Sequence, residues 1–134
     1  MVRLEVQPIM IRGVDELEGA FAAMARQRSD AVVVQSSLPV KLTVDLALKY
    51  RLPSVSAQTS DARAGRLATY SASFAERSRQ IAGYVDNILK GAKPSDLPVQ
   101  QPTKFELVIN LKTAKTIGIV ISTSLLARAD EVIE

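Results

Sequence analysis

Polar side chains able to hold a small molecule without reacting with it recur at a few places in this sequence. They are Ser36 and Ser37, Gln58, the Tyr70-Ser71 pair, and Ser73. Hydroxyl, amide and phenol groups orient carboxylates and amino groups by hydrogen bonding. None of these serines has the neighbour that would make it a nucleophile. The chain contains no histidine and no cysteine, which removes Ser-His-Asp triads, thiol chemistry, disulfides and Cys/His zinc sites. Glycine-rich phosphate loops and the G-x-S-x-G elbow are missing as well. Near pairs of carboxylates, Asp15/Glu16 and Asp130/Glu131, read as helix-end and solvated charges. Lys112 and Lys115, three residues apart, read as a solvated face. The chemistry implied is binding, with neither catalysis nor a cofactor or metal.

The elements that must position these residues alternate in type. Arg3 to Gln7, continued by Ile9 to Ile11, has a strand pattern, with Pro8 suited to an edge or bulge. Gly13 ends it, and Asp15 with Glu18 forms a D-x-x-E capping box for a helix from Asp15 to about Gln27. Ala31 to Gln35 reads as a strand covered on both faces. Ser36 to Pro39 turns into a helix from Val40 to Tyr50, and a strand from Ser54 to Ala57 follows. The stretch 58–65 is a loop or short helical turn before a strand from Leu67 to Ser71. Ser73 and Glu76 make a second capping box, opening a helix to Lys90 with an apolar stripe at Phe74, Ile81, Val85 and Ile88. Gly91 stops it. An extended connector over 93–104 leads to a strand from Phe105 to Asn110. Asn110 can cap a helix to Ile117 closed by Gly118, and Ser122 or Ser124 opens a last helical segment through Ala129.

This order predicts an α/β fold: a three-layer α/β/α sandwich with a mostly parallel sheet and right-handed crossovers. In such sheets ligands bind outside the carboxyl ends of the strands, where Ser36, Ser37, Gln58, Thr59, Tyr70, Ser71 and Ser73 fall. The helix start after Ser73 adds partial positive charge favourable to an anion. Turn and capping chemistry accounts for the same residues, and for Ser73 a cap and a ligand contact are compatible.

Composition agrees with a globular domain. At 134 residues, with 47% hydrophobic and 23% charged, the chain can bury one core. Only 4% is aromatic, so that core must come from Ala, Val, Leu and Ile. The net charge of +3 is spread out, without the basic stripe and stacking aromatics of nucleic-acid binding. Met1 to Arg12 carries Arg3 and Glu5 and reads as neither signal peptide nor membrane span. A complete gene product of this sequence would accordingly be expected in the cytoplasm.

The segment from Asp86 through Leu89-Lys90-Gly91-Ala92-Lys93-Pro94 to Val99, then Lys104-Phe105-Glu106-Leu107-Val108-Ile109-Asn110 to Lys115, carries a recognisable pattern. So does the ending Ser124-Leu125-Leu126-Ala127-Arg128-Ala129-Asp130-Glu131-Val132-Ile133. These residues resemble the close of bacterial ABC-transporter substrate-binding proteins. Asp15-Glu16-Leu17, Arg51-Leu52-Pro53 and Tyr70-Ser71 fit the same family upstream. The chain departs from it at Tyr70-Ser71-Ala72-Ser73, where many members have a Tyr-Gly turn, and at Ile121-Ser122-Thr123, where a Pro-rich step is usual.

The resemblance implies a Rossmann-like lobe of a type I periplasmic binding protein. Residues 1–134 would form one C-terminal lobe, with 93–104 crossing between lobes. It also implies an exported, periplasmic or membrane-anchored receptor for an amino acid or similar small solute, serving an ABC permease. Ser36, Ser37, Gln58 and the Tyr70-Ser71 turn would line its cleft. A lobe without its companion should expose apolar surface near the last strand and the connector. The alternative expectation is therefore a truncated or repurposed lobe forming a homodimer, with exchange of the segment after Pro94.

Overall fold

The computed structural model describes residues 4–134. A 3-10 turn, Val14–Glu16, leads into α1 (Leu17–Arg26), followed by β1 (Val32–Val33), α2 (Val40–Lys49) and β2 (Ser54–Ser56). Then come α3 (Ser60–Arg63), β3 (Ala68–Ala72) and α4 (Phe74–Leu89). A 3-10 turn, Pro94–Asp96, opens the connector to β4 (Phe105–Asn110), α5 (Leu111–Ile117), α6 (Thr123–Leu126) and β5 (Glu131–Ile133). The five strands lie in chain order, β1-β2-β3-β4-β5. All ladders are parallel except β3 with β4, which places Tyr70 opposite Leu107 and Ala72 opposite Phe105. The expected mostly parallel α/β sheet flanked by helices is present.

Aliphatic packing on two sides of α2 holds the lobe together. Leu17, Phe21, Val34, Leu46, Ala47 and Leu52 form one buried cluster, with Ile11 and Met24 packed against it. Leu67, Ala114 and Ile117 form the second, with Leu48, Ile119 and Ile121 against it. Burying a side chain such as Phe21 contributes about 1.5–3 kcal/mol. Asn110 joins the sheet to α5. Its Oδ1 accepts from the Thr113 backbone N–H at 3.0 Å, and its Nδ2 donates to the Ala62 carbonyl at 2.8 Å. The expected Asn110 cap is therefore made, and Gly118 closes α5 in the left-handed conformation at φ 80°.

Several expectations need correction. No strand forms over Leu4 to Ile11; Arg3 lies outside the described residues. Leu4, Val6 and Met10 are exposed, because an alternating pattern becomes a strand only beside a partner ladder. Strand β1 is just two residues, and Val33 is 84% exposed, so one face of this edge strand is open instead of covered. Neither capping box is made: the helix starts at Asp15/Glu18 and at Ser73 have no side-chain cap. Glu18 instead accepts from Lys49 and Tyr50, and Glu76 pairs with Arg79 at 3.1 Å. The last helical segment is shorter than expected, Thr123–Leu126 with Ser122 as its cap, and a strand that the sequence reading did not include follows it over Glu131–Ile133. The Asp130 carboxylate accepts from the Leu107 N–H at 2.8 Å, and the Asp130 N–H donates to the Leu107 carbonyl, so β5 is pulled beside β4.

Helix α4 differs in another way. Its apolar stripe forms as the periodicity predicts, yet no residue of the helix is buried. Phe74, Ile81, Val85 and Ile88 are 71%, 61%, 50% and 43% exposed. Spacing reveals a one-sided helix but not whether anything covers that side.

Candidate functional site

The parallel strands β2 and β3 end, and the antiparallel β4 begins, at one edge of the sheet. There Ala57, Gln58, Thr59, Ser60, Tyr70, Ser71, Ala72, Phe74, Arg77 and Phe105 line an open concavity of about 460 Å³. The carboxyl ends of the parallel strands are where an α/β sheet presents ligand-binding groups. Gln58, Tyr70 and Ser71 are thus brought together as expected. Ser73 is buried at the first turn of α4, where its N–H donates to the Lys104 carbonyl at 2.9 Å, and it does not line the concavity. Ser36 and Ser37 are exposed in the turn after β1 and likewise stay outside the lining.

The β3–β4 ladder sets the wall. Antiparallel register makes Tyr70 and Phe105 diagonal neighbours on one face, within reach of each other. Their rings stack with centroids 5.4 Å apart and planes 15° from parallel. The Thr59 and Ser71 hydroxyls are 2.8 Å apart, tying the loop after β2 to β3. Sequence reading misses Ser60, Phe74, Arg77 and Phe105 as lining residues, and gives Thr59 only as a strand end. Phe105 reaches this edge because β4 runs against β3, whereas residue spacing leaves strand direction open. Arg77 is one helical turn beyond Ser73, so only the helix direction brings it to the rim.

Beneath the loop lies a buried polar network. Asp61 and Arg66 are 2% and 1% exposed. The Asp61 carboxylate accepts from the Ser56 hydroxyl at 2.7 Å and stands 3.8 Å from Arg66 Nη2. That nitrogen also donates to Thr43 Oγ1 at 2.9 Å. Burial lowers the Arg66 pKa from its ordinary value, and the Asp61 charge opposes that shift. Arg66 Nε and Nη1 meet no partner among the described residues. The network anchors α3 and the Gln58–Ser60 rim to the end of β2. Among the described residues no group of three or more acidic side chains is placed to hold a metal ion.

The fold and the sequence both have parallels among known proteins. The family profile of ABC transporter substrate binding proteins matches residues 2–133. The chain belongs to that family. This substrate-binding family member is similar to a conserved domain protein from Vibrio cholerae O1 biovar El Tor. The identity is 29% and the TM-score 0.78, over 89% of this chain and 41% of that one. It is also similar to an ABC domain from Streptococcus pneumonia in complex with L-Trp, at 25% identity and TM-score 0.81, over 97% of this chain and 45% of that one. A ligand-free, open substrate binding protein with adhesive properties from Clostridium difficile shares the fold. Its identity is 17% and its TM-score 0.66, over 92% of this chain and 42% of that one. No curated protein matches significantly. The chain spans less than half the length of these solved structures. Among the described residues, no helix is long and apolar enough to cross a membrane.

Proposed function

We propose that residues 1–134 act as one lobe, the C-terminal one, of a non-catalytic receptor that holds a small organic solute for an ABC permease outside the cytoplasm. The concavity at the strand-end edge carries this reading. Its hydrogen-bonding residues Gln58, Thr59, Ser60 and Ser71 stand beside an aromatic wall, a combination suited to an amino acid or similar molecule. The L-Trp bound to one structural neighbour favours the same class. In this reading Ser36 and Ser37 contact solute from the adjoining turn, and Ser73 acts at the start of α4. The connector over 93–104 then serves as the crossover between lobes.

One lobe covers one side of a solute, so affinity should be low. Titration of the 134-residue chain with amino acids, followed by amide NMR shifts, is expected to move Gln58, Thr59 and Ser71 with weak saturation. Calorimetric affinity tighter than about 1 μM, roughly −8 kcal/mol, would contradict the single-sided site.

A second reading is favoured by α4. Its exposed stripe of Phe74, Ile81, Val85 and Ile88 suits self-association of a truncated or repurposed lobe as a homodimer, with or without exchange of the segment after Pro94. Light scattering should then give twice the 14.5 kDa chain mass; a monomer at high concentration rejects it.

A further inference from the structure

A helix and a sheet are each stable only when their apolar side is covered. In this lobe one helix and one patch of sheet are left over. Helix α4 is 16 residues long and buries none of them on its own lobe. Ile81, Val85 and Ile88 share one side of it at helical spacing and stay exposed. The layer of helices that the alternating order of elements predicts on both faces of the sheet is therefore incomplete.

The matching surface lies on β1 to β3. Val32 and Val34 face the core beneath α1 and α2, where they pack with Leu17, Phe21, Leu46 and Ala47. Alternation turns Val33 to the opposite face. Ladder register then sets Val33 beside Val55, and Val55 beside Ala68. Val33 is 84% exposed, and Val55 and Ala68 are half-buried. These three side chains make an apolar row across three strands, with Val33 at the open edge of the sheet. Three strands at a spacing of about 4.8 Å present a strip about 10 Å wide, which is the diameter of one helix.

We infer that the two surfaces complete one another between copies: the Ile81, Val85 and Ile88 side of α4 from one chain covers the Val33, Val55 and Ala68 row of a second. The inference rests on the homodimer reading and names the surface that receives the helix. A second copy is the occupant because each chain carries both halves of the contact and covers neither within itself. The exchange is reciprocal, so a twofold axis closes it and makes two such contacts. Doubling matters, because a stable interface buries about 1,200–2,000 Å² in total.

The test uses the 134-residue chain, light scattering across a dilution series, and lysine substitutions at exposed positions. The native chain should dimerise, at twice 14.5 kDa. Val33→Lys and Val85→Lys, one on each half of the contact, should each weaken the dimer about tenfold or more. Val120→Lys, 94% exposed on the loop after α5, should leave it unchanged. The chain has no cysteine, so Val33→Cys and Val85→Cys chains can be mixed and joined with a bis-maleimide. The expected product is a pair containing one of each. If the chain dimerises and Val33→Lys leaves the dimer intact, the homodimer reading survives and this surface assignment falls. A dimer whose mixed chains give no such cross-linked pair has the same consequence. If the native chain stays monomeric at high concentration, both readings are lost.

Discussion

Replacing Asp61 with Ala tests whether the buried network is what holds the rim in place. Asp61 and Arg66 are almost wholly buried, with 3.8 Å between the charged atoms. At an effective dielectric constant of about 20, that separation corresponds to roughly 4 kcal/mol of attraction. Asp61→Ala removes it, takes the acceptor from Ser56, and leaves Arg66 desolvated with only its Thr43 bond. A cost of about 3–5 kcal/mol follows, a large part of the roughly 5–15 kcal/mol that stabilises a domain. With an m-value of about 2 kcal/mol/M, the urea midpoint should fall by roughly 2 M. The double variant Asp61→Leu with Arg66→Met should recover most of this loss. It removes both desolvated charges together and leaves apolar groups of similar volume. Equilibrium unfolding in urea of the native chain, Asp61→Leu, Arg66→Met and the double variant closes the cycle. A midpoint shift below about 0.5 M for Asp61→Ala, or simple additivity in the double variant, would refute the reasoning.

Gly65 adopts φ +111°, and a Cβ there would meet Val44 Cγ1 at 2.9 Å. Gly65→Ala should therefore cost roughly 2 kcal/mol and lower Tm by several degrees in calorimetry; an unchanged Tm would show that the backbone relaxes freely. At the α1–α2 contact, hydrogen bonds from Lys49 and then Tyr50 hold the Glu18 pKa below its ordinary value, and Lys49 and Tyr50 are both raised by bonding to Glu18. The sign follows from linkage. Glu18's contribution to stability is present above its unfolded pKa and fades as pH falls through the lower folded value. The contributions of Lys49 and Tyr50 are complete below their unfolded pKa values and fade as pH rises through the higher folded ones. Carboxyl NMR titration should find Glu18 low in the native chain and nearer the ordinary value in Lys49→Met. A Glu18 titration indifferent to that substitution would remove the contact as the cause.

Much of the fold is legible because its signals are local. Val40 to Lys49 repeats apolar residues at helical spacing, Asn110 can bond the N–H three residues on, and Gly118 accepts a left-handed conformation. Each property acts within a few residues, and each reappears where expected. The site is legible only in part. Gln58, Tyr70 and Ser71 follow from the rule about strand ends, whereas Ser36, Ser37 and Ser73 satisfy that rule and still lie outside the concavity. Position at a strand end puts a residue on the correct edge, but neighbouring strands and helices decide which residues share one depression.

The sequence by itself determined the family, the alternation of strands and helices, and the absence of histidine and cysteine chemistry, since all three are properties of residue type and order. Tertiary structure decided the rest. Strand β4 runs antiparallel to β3, bringing Phe105 against Tyr70. Asp130 draws the last three-residue strand into the sheet, and the stripe on α4 is left uncovered. Each of these depends on pairing between residues far apart in the chain, and the energy of such a pair is set by direction and burial that no local spacing encodes.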